Sequence, residues 1–319
     1  MTQESDAYWT SKNKSISSIL AKGKAQLAFE AQHNVLDKGW SEAYERLRTG
    51  GYLCIIVKRS SRKFSDRYSF YDNASRITYA CQKIGFDALP SIKWRKPSKT
   101  PPHYMGSGML PAGAYVVSQH DDILIFRKGA PRVFEKEEQD HRSQSALFCK
   151  ERNDWYLDHW SDIPTTPLDN YLRDATIHHL PSELYIRMMM MYSIQGDTVL
   201  DPYGDNLLTS IAGAVLGRHT WTVHHEDIET SLLLYKKRQL KALLHDRSAN
   251  RIIDHLAYAK TKDGLLMRYK NKPLGLPVQT TQEKNIQNYA IQSIKRLENE
   301  IIIKYRNWKK TEVAAMLKM

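Results

Sequence analysis

The segment of residues 196–229 restricts the possible folds of this 319-residue chain more than any other. It combines a short β-branched run, a proline that ends it, apolar residues at helical spacing and a second β-branched run. These features predict a strand, a turn, a helix and a second strand: Thr198–Leu200, Asp201–Pro202, Leu207–Leu216 and Thr220–Val223. Gly217 stands where a left-handed residue would close the helix.

Such a unit is typical of half of a Rossmann-like nucleotide site, with the ligand at the loop and at the end of the second strand. The loop needs glycines, because only a bare backbone lets a ligand come close. Here Gly204 is followed by the negative charge of Asp205. A carboxylate is needed after the second strand to hold two ribose hydroxyls, but that position is His224. The sequence therefore predicts the strands and the helix of such a site, but not the glycine-rich loop and the carboxylate that would bind the ligand.

The net charge is +12 and the isoelectric point is near 9.4, which favours a polyanionic partner, most commonly nucleic acid. The alternative is an ordinary soluble surface, which composition alone barely separates from it. The apolar runs are too short for a membrane span, and we expect no membrane association. Three scattered cysteines form neither a disulfide frame nor a zinc site. Since no secretory signal is visible, we expect a cytoplasmic, nucleoid-associated location, or a nuclear one in a eukaryote.

The remaining patterns predict an α/β domain over residues 1–246 and a basic, mostly helical extension over residues 247–319. The extension holds fifteen Lys or Arg against six Asp or Glu, and its apolar residues between Ile286 and Trp308 fit helical spacing. Its lysines suit a solvated face and a nucleic-acid contact equally well. Other predicted elements are the strands Tyr52–Val57, Pro90–Trp94 and Asp122–Phe126, the helices Ser75–Ile84 and Pro181–Tyr192, the loop Lys58–Arg67 and the connector Glu135–His141.

Several stretches, taken in order, resemble the β-class amino DNA methyltransferases, which methylate cytosine N4 or adenine N6 with S-adenosylmethionine. They are Gly50–Leu53, Phe70–Ile77, Ile92–Pro97, Met105–Val116, Ile123–Gly129, Pro181–Leu184 and Gly196–Pro202. As in that class, the cofactor half follows the catalytic half. The resemblance implies a Rossmann-like methyltransferase fold, with a mainly parallel sheet and helices on both faces.

The departures from the family pattern fall where its chemistry is carried out. The family's catalytic motif has an Asp, Ser or Asn before Pro-Pro and an aromatic residue that stacks on the flipped base. Its nearest counterpart is Asp6 with Tyr8, where both prolines are missing, and the alternative is an N-terminal tail without a catalytic role. The cofactor pocket implied by the resemblance is likewise degenerate. It consists of Asp201, Pro202, Tyr203, Gly204, Asp205, Thr209, His224 and Glu226.

These departures predict a catalytically inactive methyltransferase-like subunit that binds no cofactor, contacts DNA and supports an active methyltransferase paralogue in a heteromer. In the resembled fold its phosphate-contacting residues would be Lys58, Arg59, Arg62, Lys63, Arg95, Lys96 and Lys99. One alternative is an active S-adenosylmethionine-dependent enzyme with divergent motifs, and another is a stand-alone DNA-binding regulator. We expect no metal site, because the adjacent histidines at 178–179 and 224–225 would point to opposite faces of a strand.

Overall fold

The computed structural model describes residues 13–64, 67–95, 105–106, 110–116, 118–164, 169, 180–204, 208–223, 237–262, 266–297 and 300–318. The chain forms two compact units. Unit 1 comprises Met1–Val133 and Leu157–Asp162, and unit 2 comprises Phe134–Tyr156 and Ile163–Met319.

Unit 1 combines a mixed sheet with helices and two hairpins. Its helices in the described residues are α1 (Lys14–Ala21), α2 (Ala25–Arg46) and α3 (Asn73–Ile84). Its strands there are β1 (Tyr52–Val57), β2 (Ser60–Phe64), β3 (Arg67–Tyr71), β4 (Phe86–Arg95), β5 (Met105–Gly106), β6 (Ala114–Tyr115), β7 (His120–Lys128) and β8 (His159–Trp160).

The main sheet of unit 1 has the order β1-β7-β4-β8. Strand β7 runs antiparallel to both β1 and β4, and only the short β4–β8 pairing is parallel. The expectation of a mainly parallel sheet is therefore corrected to a mixed one. The physical reason is β7, which lies between two strands that run in the opposite direction to it.

The core of unit 1 is built on β7. Leu124 and Phe126 belong to an apolar cluster with Trp40, Ile77 and Cys81 from α2 and α3. Neighbouring side chains on a strand point to opposite faces. Ile123 and Ile125, which alternate with Leu124 and Phe126, are buried too. Both faces of β7 are therefore covered, which explains its unbroken apolar run.

Two segments that the sequence predicts to be irregular are ordered. Within residues 58–67, expected to form a basic loop, residues 60–64 form β2 and pair antiparallel with β3, which begins at Arg67. The predicted connector Glu135–His141 lies mostly in helix α4 (Lys136–Gln144) of unit 2, whose residues are all at least partly exposed. Exposed polar residues carry no apolar periodicity, so sequence patterns could not detect this helix.

Unit 2 contains the strand-turn-helix-strand segment, followed by a long helix and a C-terminal β-rich part. In its described residues the helices are α4, α5 (Cys149–Trp155), α6 (Ser182–Tyr192), α7 (Leu208–Leu216), α8 (Lys237–Lys260) and α9 (Lys310–Leu317). The strands are β9 (Thr198–Asp201), β10 (His219–Thr222), β11 (Tyr269–Lys270), β12 (Pro277–Val278), β13 (Ala290–Arg296) and β14 (Ile301–Arg306). A 3-10 helix spans Thr281–Asn285.

The helical spacing predicted between Ile286 and Trp308 of the C-terminal extension is corrected, whereas residues 247–260 and 310–317 are helical. Strands β13 and β14 form an antiparallel hairpin within the range that was expected to be helical. In β14, Ile301, Ile303 and Tyr305 are partly buried while Ile302 and Lys304 are exposed, which is a period of two. The boundary between residues 246 and 247 stays a prediction.

None of the helices in the described part of the chain combines the length and the apolarity needed to span a lipid bilayer.

Candidate functional site: a nucleotide-type half-site and a cationic pocket

The half-site of unit 2 is formed by β9, α7 and β10. The two strands are parallel, with Thr198 opposite His219 and Asp201 opposite Thr222. Helix α7 connects them and ends before Gly217, which has a φ of +70°. The predicted strand-turn-helix-strand unit is confirmed, with each strand within one or two residues of its predicted bounds.

Gly213 of α7 allows the helix to pack closely on β10. A Cβ atom there would lie 2.4 Å from Thr220 Cγ2 and 3.2 Å from the carbonyl oxygen of Arg218. This is the helix–strand packing role that one glycine fulfils in Rossmann-type units. Gly213 was not predicted from the sequence, although an isolated glycine inside a helical pattern was the available signal.

Gly204 lies in the loop after β9, but its surroundings are protein rather than open space. A Cβ atom there would approach Thr222 Cγ2 to 1.7 Å, so the glycine is required by the neighbouring strand. Its backbone N–H donates to the carbonyl oxygen of Val223 at 3.1 Å. The amide that a bound nucleotide would need is thus engaged within the chain.

The carboxylate of Asp201 is also engaged locally. Its Oδ2 accepts a hydrogen bond from the Thr209 hydroxyl at 2.5 Å, and its Oδ1 accepts one from the Tyr203 N–H at 3.0 Å. Pro202 and Tyr203 form the turn between these contacts, and the Tyr203 side chain is exposed. Asp201 and Thr209, both predicted pocket residues, are thereby brought together to stabilise the loop.

These contacts bear on the cofactor that the family would use. S-adenosylmethionine requires open amides in this loop and a free acceptor beyond the second strand. In the described part of the half-site, the Gly204 amide and both Asp201 oxygens already have protein partners. These described groups therefore hold the start of the loop itself. Asp205, His224 and Glu226 lie outside the described residues, as do Asp6 and Tyr8 of the predicted catalytic motif.

A second feature, in unit 1, is a pocket at one edge of the main sheet. Its volume is about 310 Å³, and its lining includes Arg59, Lys93 and Asp122. β1 ends near Arg59, β4 ends near Lys93, and the antiparallel β7 begins near Asp122. The carboxyl ends of β1 and β4 therefore meet at this pocket, which is the edge where α/β proteins bind ligands.

The Asp122 side chain is fully buried and binds two cations. It accepts a hydrogen bond from Arg59 Nε at 2.7 Å and another from Lys93 Nζ. Burial alone would raise the pKa of the Asp122 carboxyl, but the hydrogen bonds and charges of Arg59 and Lys93 outweigh it and lower that pKa below its usual value. Nearby His120 has a pKa lowered by burial and by Arg59, so its imidazole is neutral at pH 7.

The predicted DNA-contacting residues are distributed over unit 1. Lys58 and Arg95 are exposed, and Arg95 donates to the Gln119 side chain. Arg59 faces the buried Asp122, whereas Arg62 and Lys63 lie in β2. Lys96 and Lys99 lie outside the described residues. Their roles at phosphates stay predictions. The sequence analysis missed Lys93, because only the register of β4 and β7 places it opposite Asp122.

Among the residues that the structure describes, no group of three or more His, Cys, Asp or Glu side chains is arranged to hold a metal ion. The histidine pairs at 178–179 and 224–225 lie outside that part of the chain.

Comparison with known proteins adds to this geometry. A family model described as DNA methylase, of the N6/N4 methyltransferase type, matches residues 2–225. The Type II methyltransferase M.MthZI of Methanothermobacter thermautotrophicus is 34% identical over 277 residues, covering 85% of this chain and 77% of the relative. The Type II methyltransferase M.MjaI of Methanocaldococcus jannaschii is 38% identical over 175 residues, covering 55% of this chain and 57% of the relative.

A solved structure is also similar. It is a proposed DNA modification methylase from Thermus thermophilus in complex with S-adenosyl-L-methionine, with a TM-score of 0.53 and 28% identity. The match covers 68% of this chain and 79% of that one. The family model matches most of the chain, and M.MthZI is a 34% identical relative of which the chain covers 77%. The chain therefore belongs to the N6/N4 DNA methylase family.

Proposed function

We propose that this DNA-methyltransferase-like chain is a catalytically inactive member of the β class of its family. It binds DNA and supports an active methyltransferase partner in a heteromeric complex that methylates adenine N6 or cytosine N4. The order of the segments supports the β class, because the nucleotide-type half-site follows the rest of the family match in the chain.

The observation that carries this proposal is the described start of the loop after β9, whose polar groups make contacts within the chain. Gly204 donates to Val223, and Asp201 holds Tyr203 and Thr209. Where these described groups have to contact a nucleotide they must first break their internal bonds, and each broken bond costs about 0.5–1.5 kcal/mol. Cofactor binding would therefore be weakened in addition to the loss of the carboxylate at His224.

The proposed catalytic loss rests on the N-terminal motif. Methyl transfer needs the target base and the cofactor in line within about 3–3.5 Å, which tolerates little looseness in either pocket. With an Asp6-Ala7-Tyr8 sequence the two prolines that shape the base pocket are absent. Loss of the proline pair, the glycine-rich loop and the ribose-binding carboxylate together favours a supporting role over slow catalysis.

A second candidate function is an active methyltransferase with divergent motifs. It is favoured by the Thermus thermophilus relative, which was solved with S-adenosyl-L-methionine, and by a family match that begins at residue 2. In that case Asp6 and Tyr8 would hold the base, and Asp201, Gly204 and Glu226 would hold the cofactor.

Reconstitution of the complex tests the proposed role. The chain is purified from its source, and DNA methylation by any co-purifying methyltransferase is measured with and without it. We expect a stoichiometric partner whose activity requires this chain but tolerates Asp6→Ala in it. Asp201→Asn, which keeps one of the two acceptor oxygens and removes the charge, is the matched variant in the half-site. Loss of methylation in the Asp6→Ala complex would favour the active enzyme, and a lone monomer that binds DNA would favour the regulator.

A further inference from the structure

The pocket of unit 1, here called the Asp122 pocket, is lined by Arg59, Lys93 and Asp122 at the sheet edge and by Asp72, Ser75 and Gln82 of the α3 segment. Its volume of about 310 Å³ is at the small end of the range for ligand pockets. Such a space admits one nucleotide-sized group.

The cations of this pocket are held in place by a group that no solvent reaches. The Asp122 side chain is 0% exposed, while those of Arg59 and Lys93 are 27% and 38% exposed. A buried carboxylate that bonds two partly exposed cations fixes their positions and leaves their outer surfaces available. Asp122 engages Arg59 through Nε, which is only one of the five N–H donors of a guanidinium. The guanidinium also lies 5.5 Å from the Phe70 ring centre, which further orients it.

The charge of the cluster selects the ligand class. Two cations and one carboxylate leave one net positive charge at neutral pH, when His120 is uncharged. Asp72 also lines the pocket, but it is the N-cap of α3, and its oxygens accept from the Ser75 N–H and hydroxyl. A carboxylate at a helix N-terminus is compensated by the first-turn amides. A monoanion therefore matches the cluster better than a dianion does.

We propose that the Asp122 pocket binds one phosphodiester of the DNA backbone, which is contacted by Arg59 and Lys93 while Asp122 positions both cations. The inference rests on the proposed function, since DNA is the polyanion that a DNA methylase subunit meets. It adds Lys93 to the predicted contacts and makes Asp122 a positioning residue. Because phosphate contacts carry no sequence information, the site supplies affinity without sequence preference.

Lys93→Met is the direct test, since it removes one cation and keeps a long side chain. Fluorescence anisotropy measures binding to two short duplexes of unrelated sequence between about 50 and 200 mM salt. We expect roughly tenfold weaker binding to both duplexes and a salt dependence that is shallower by about 0.9 log units per log unit of salt. Lys38→Met is the matched control, because Lys38 is an exposed lysine of α2 in the same unit. Normal affinity and salt dependence in a folded Lys93→Met chain would overturn the proposal.

A second measurement uses the unmodified chain and remains decisive if Lys93→Met fails to fold. Lysine acetylation is quantified by mass spectrometry with and without duplex DNA. Protection of Lys93 but not of Lys38 supports the proposal, and equal acetylation of Lys93 in both samples contradicts it. Inorganic phosphate is the probe for a free ligand. If phosphate protects Lys93 and duplex DNA does not, the phosphodiester assignment is wrong.

These outcomes are separable from those of the proposed function. Support of a methyltransferase partner is measured by methylation, whereas the pocket is measured by Lys93-dependent DNA affinity. A Lys93→Met chain that binds DNA normally overturns only the proposal that the Asp122 pocket binds a phosphodiester.

Discussion

Asp122 shows how a single residue links the stability of unit 1 to pH. Its carboxyl is fully buried and its pKa is lowered in the folded chain, because the contacts with Arg59 and Lys93 outweigh burial. A group with a lowered folded pKa stabilises the fold above its unfolded pKa, near 4, and loses that contribution as the pH falls through the folded pKa.

We therefore expect Asp122→Asn to destabilise the chain at pH 7 by about 1–3 kcal/mol, since Arg59 and Lys93 lose their counter-charge. Urea unfolding at pH 7 and at pH 3 checks this. The difference between the two chains should shrink at pH 3, below the unfolded pKa of an aspartate, where proton uptake by the unmodified carboxyl favours unfolding. An Asp122→Asn variant as stable as the unmodified chain at pH 7 would contradict the stabilising role of the Asp122 contacts with Arg59 and Lys93.

Gly213 provides a second prediction at the residue scale. In an open helix, Gly→Ala stabilises by up to about 1 kcal/mol. Here the added methyl group would lie 2.4 Å from Thr220 Cγ2, so we expect Gly213→Ala to destabilise by about 1–3 kcal/mol. Thr220→Ser removes the opposing methyl group and should partly restore stability in the double variant. The free energy of unfolding of all four chains measures this coupling.

Which residues could be found from the sequence depended on how local their contacts are. The loop residues Asp201, Gly204 and Thr209 were identified because they lie within one segment. The partnership of Lys93 with Asp122 could not be found, because it depends on the pairing of β4 with β7. Strand register follows from the packed sheet and is not visible in either segment alone.

The C-terminal hairpin shows where the spacing of apolar residues fails to predict the type of secondary structure. The apolar residues between Ile286 and Trp308 are dense enough to fit a period of 3.6 as well as a period of two. In the structure the two segments pair as antiparallel strands. Ile294 of β13 is buried, and Ile302 of β14 is 38% exposed. Helix α3 was predicted correctly because it buries one apolar face. Helices α6 and α7 were also predicted correctly, although most of their residues are buried.

This difference yields a matched pair of substitutions in the hairpin. Ile294→Ala should cost about 2–4 kcal/mol, because it leaves a cavity among buried residues. Ile302→Ala should cost less than about 1 kcal/mol, because that side chain is already partly in solvent. Thermal unfolding of both variants compares the two positions. Equal losses of stability in the two variants would contradict the burial of Ile294 and the exposure of Ile302.

At the scale of the whole molecule, the family could be inferred from the sequence because its segments occur in order along most of the chain, and the comparisons agree. The mixed sheet could not be inferred, since strand direction follows from β7 lying between β1 and β4. The proposed loss of activity rests on a few side chains at the loop after β9 and at the N-terminal motif. A chain with the frame of a methyltransferase can therefore have lost the chemistry while keeping the fold.

We expect that this chain does not bind the methyl donor by itself. Isothermal titration calorimetry of the purified chain with S-adenosylmethionine tests it most directly, with an active family member as the positive control. We predict no saturable heat up to millimolar cofactor, because the Gly204 amide and the Asp201 carboxylate are engaged within the chain. Saturable one-site binding with a micromolar Kd would contradict the account and identify the chain as an active methyltransferase with divergent motifs.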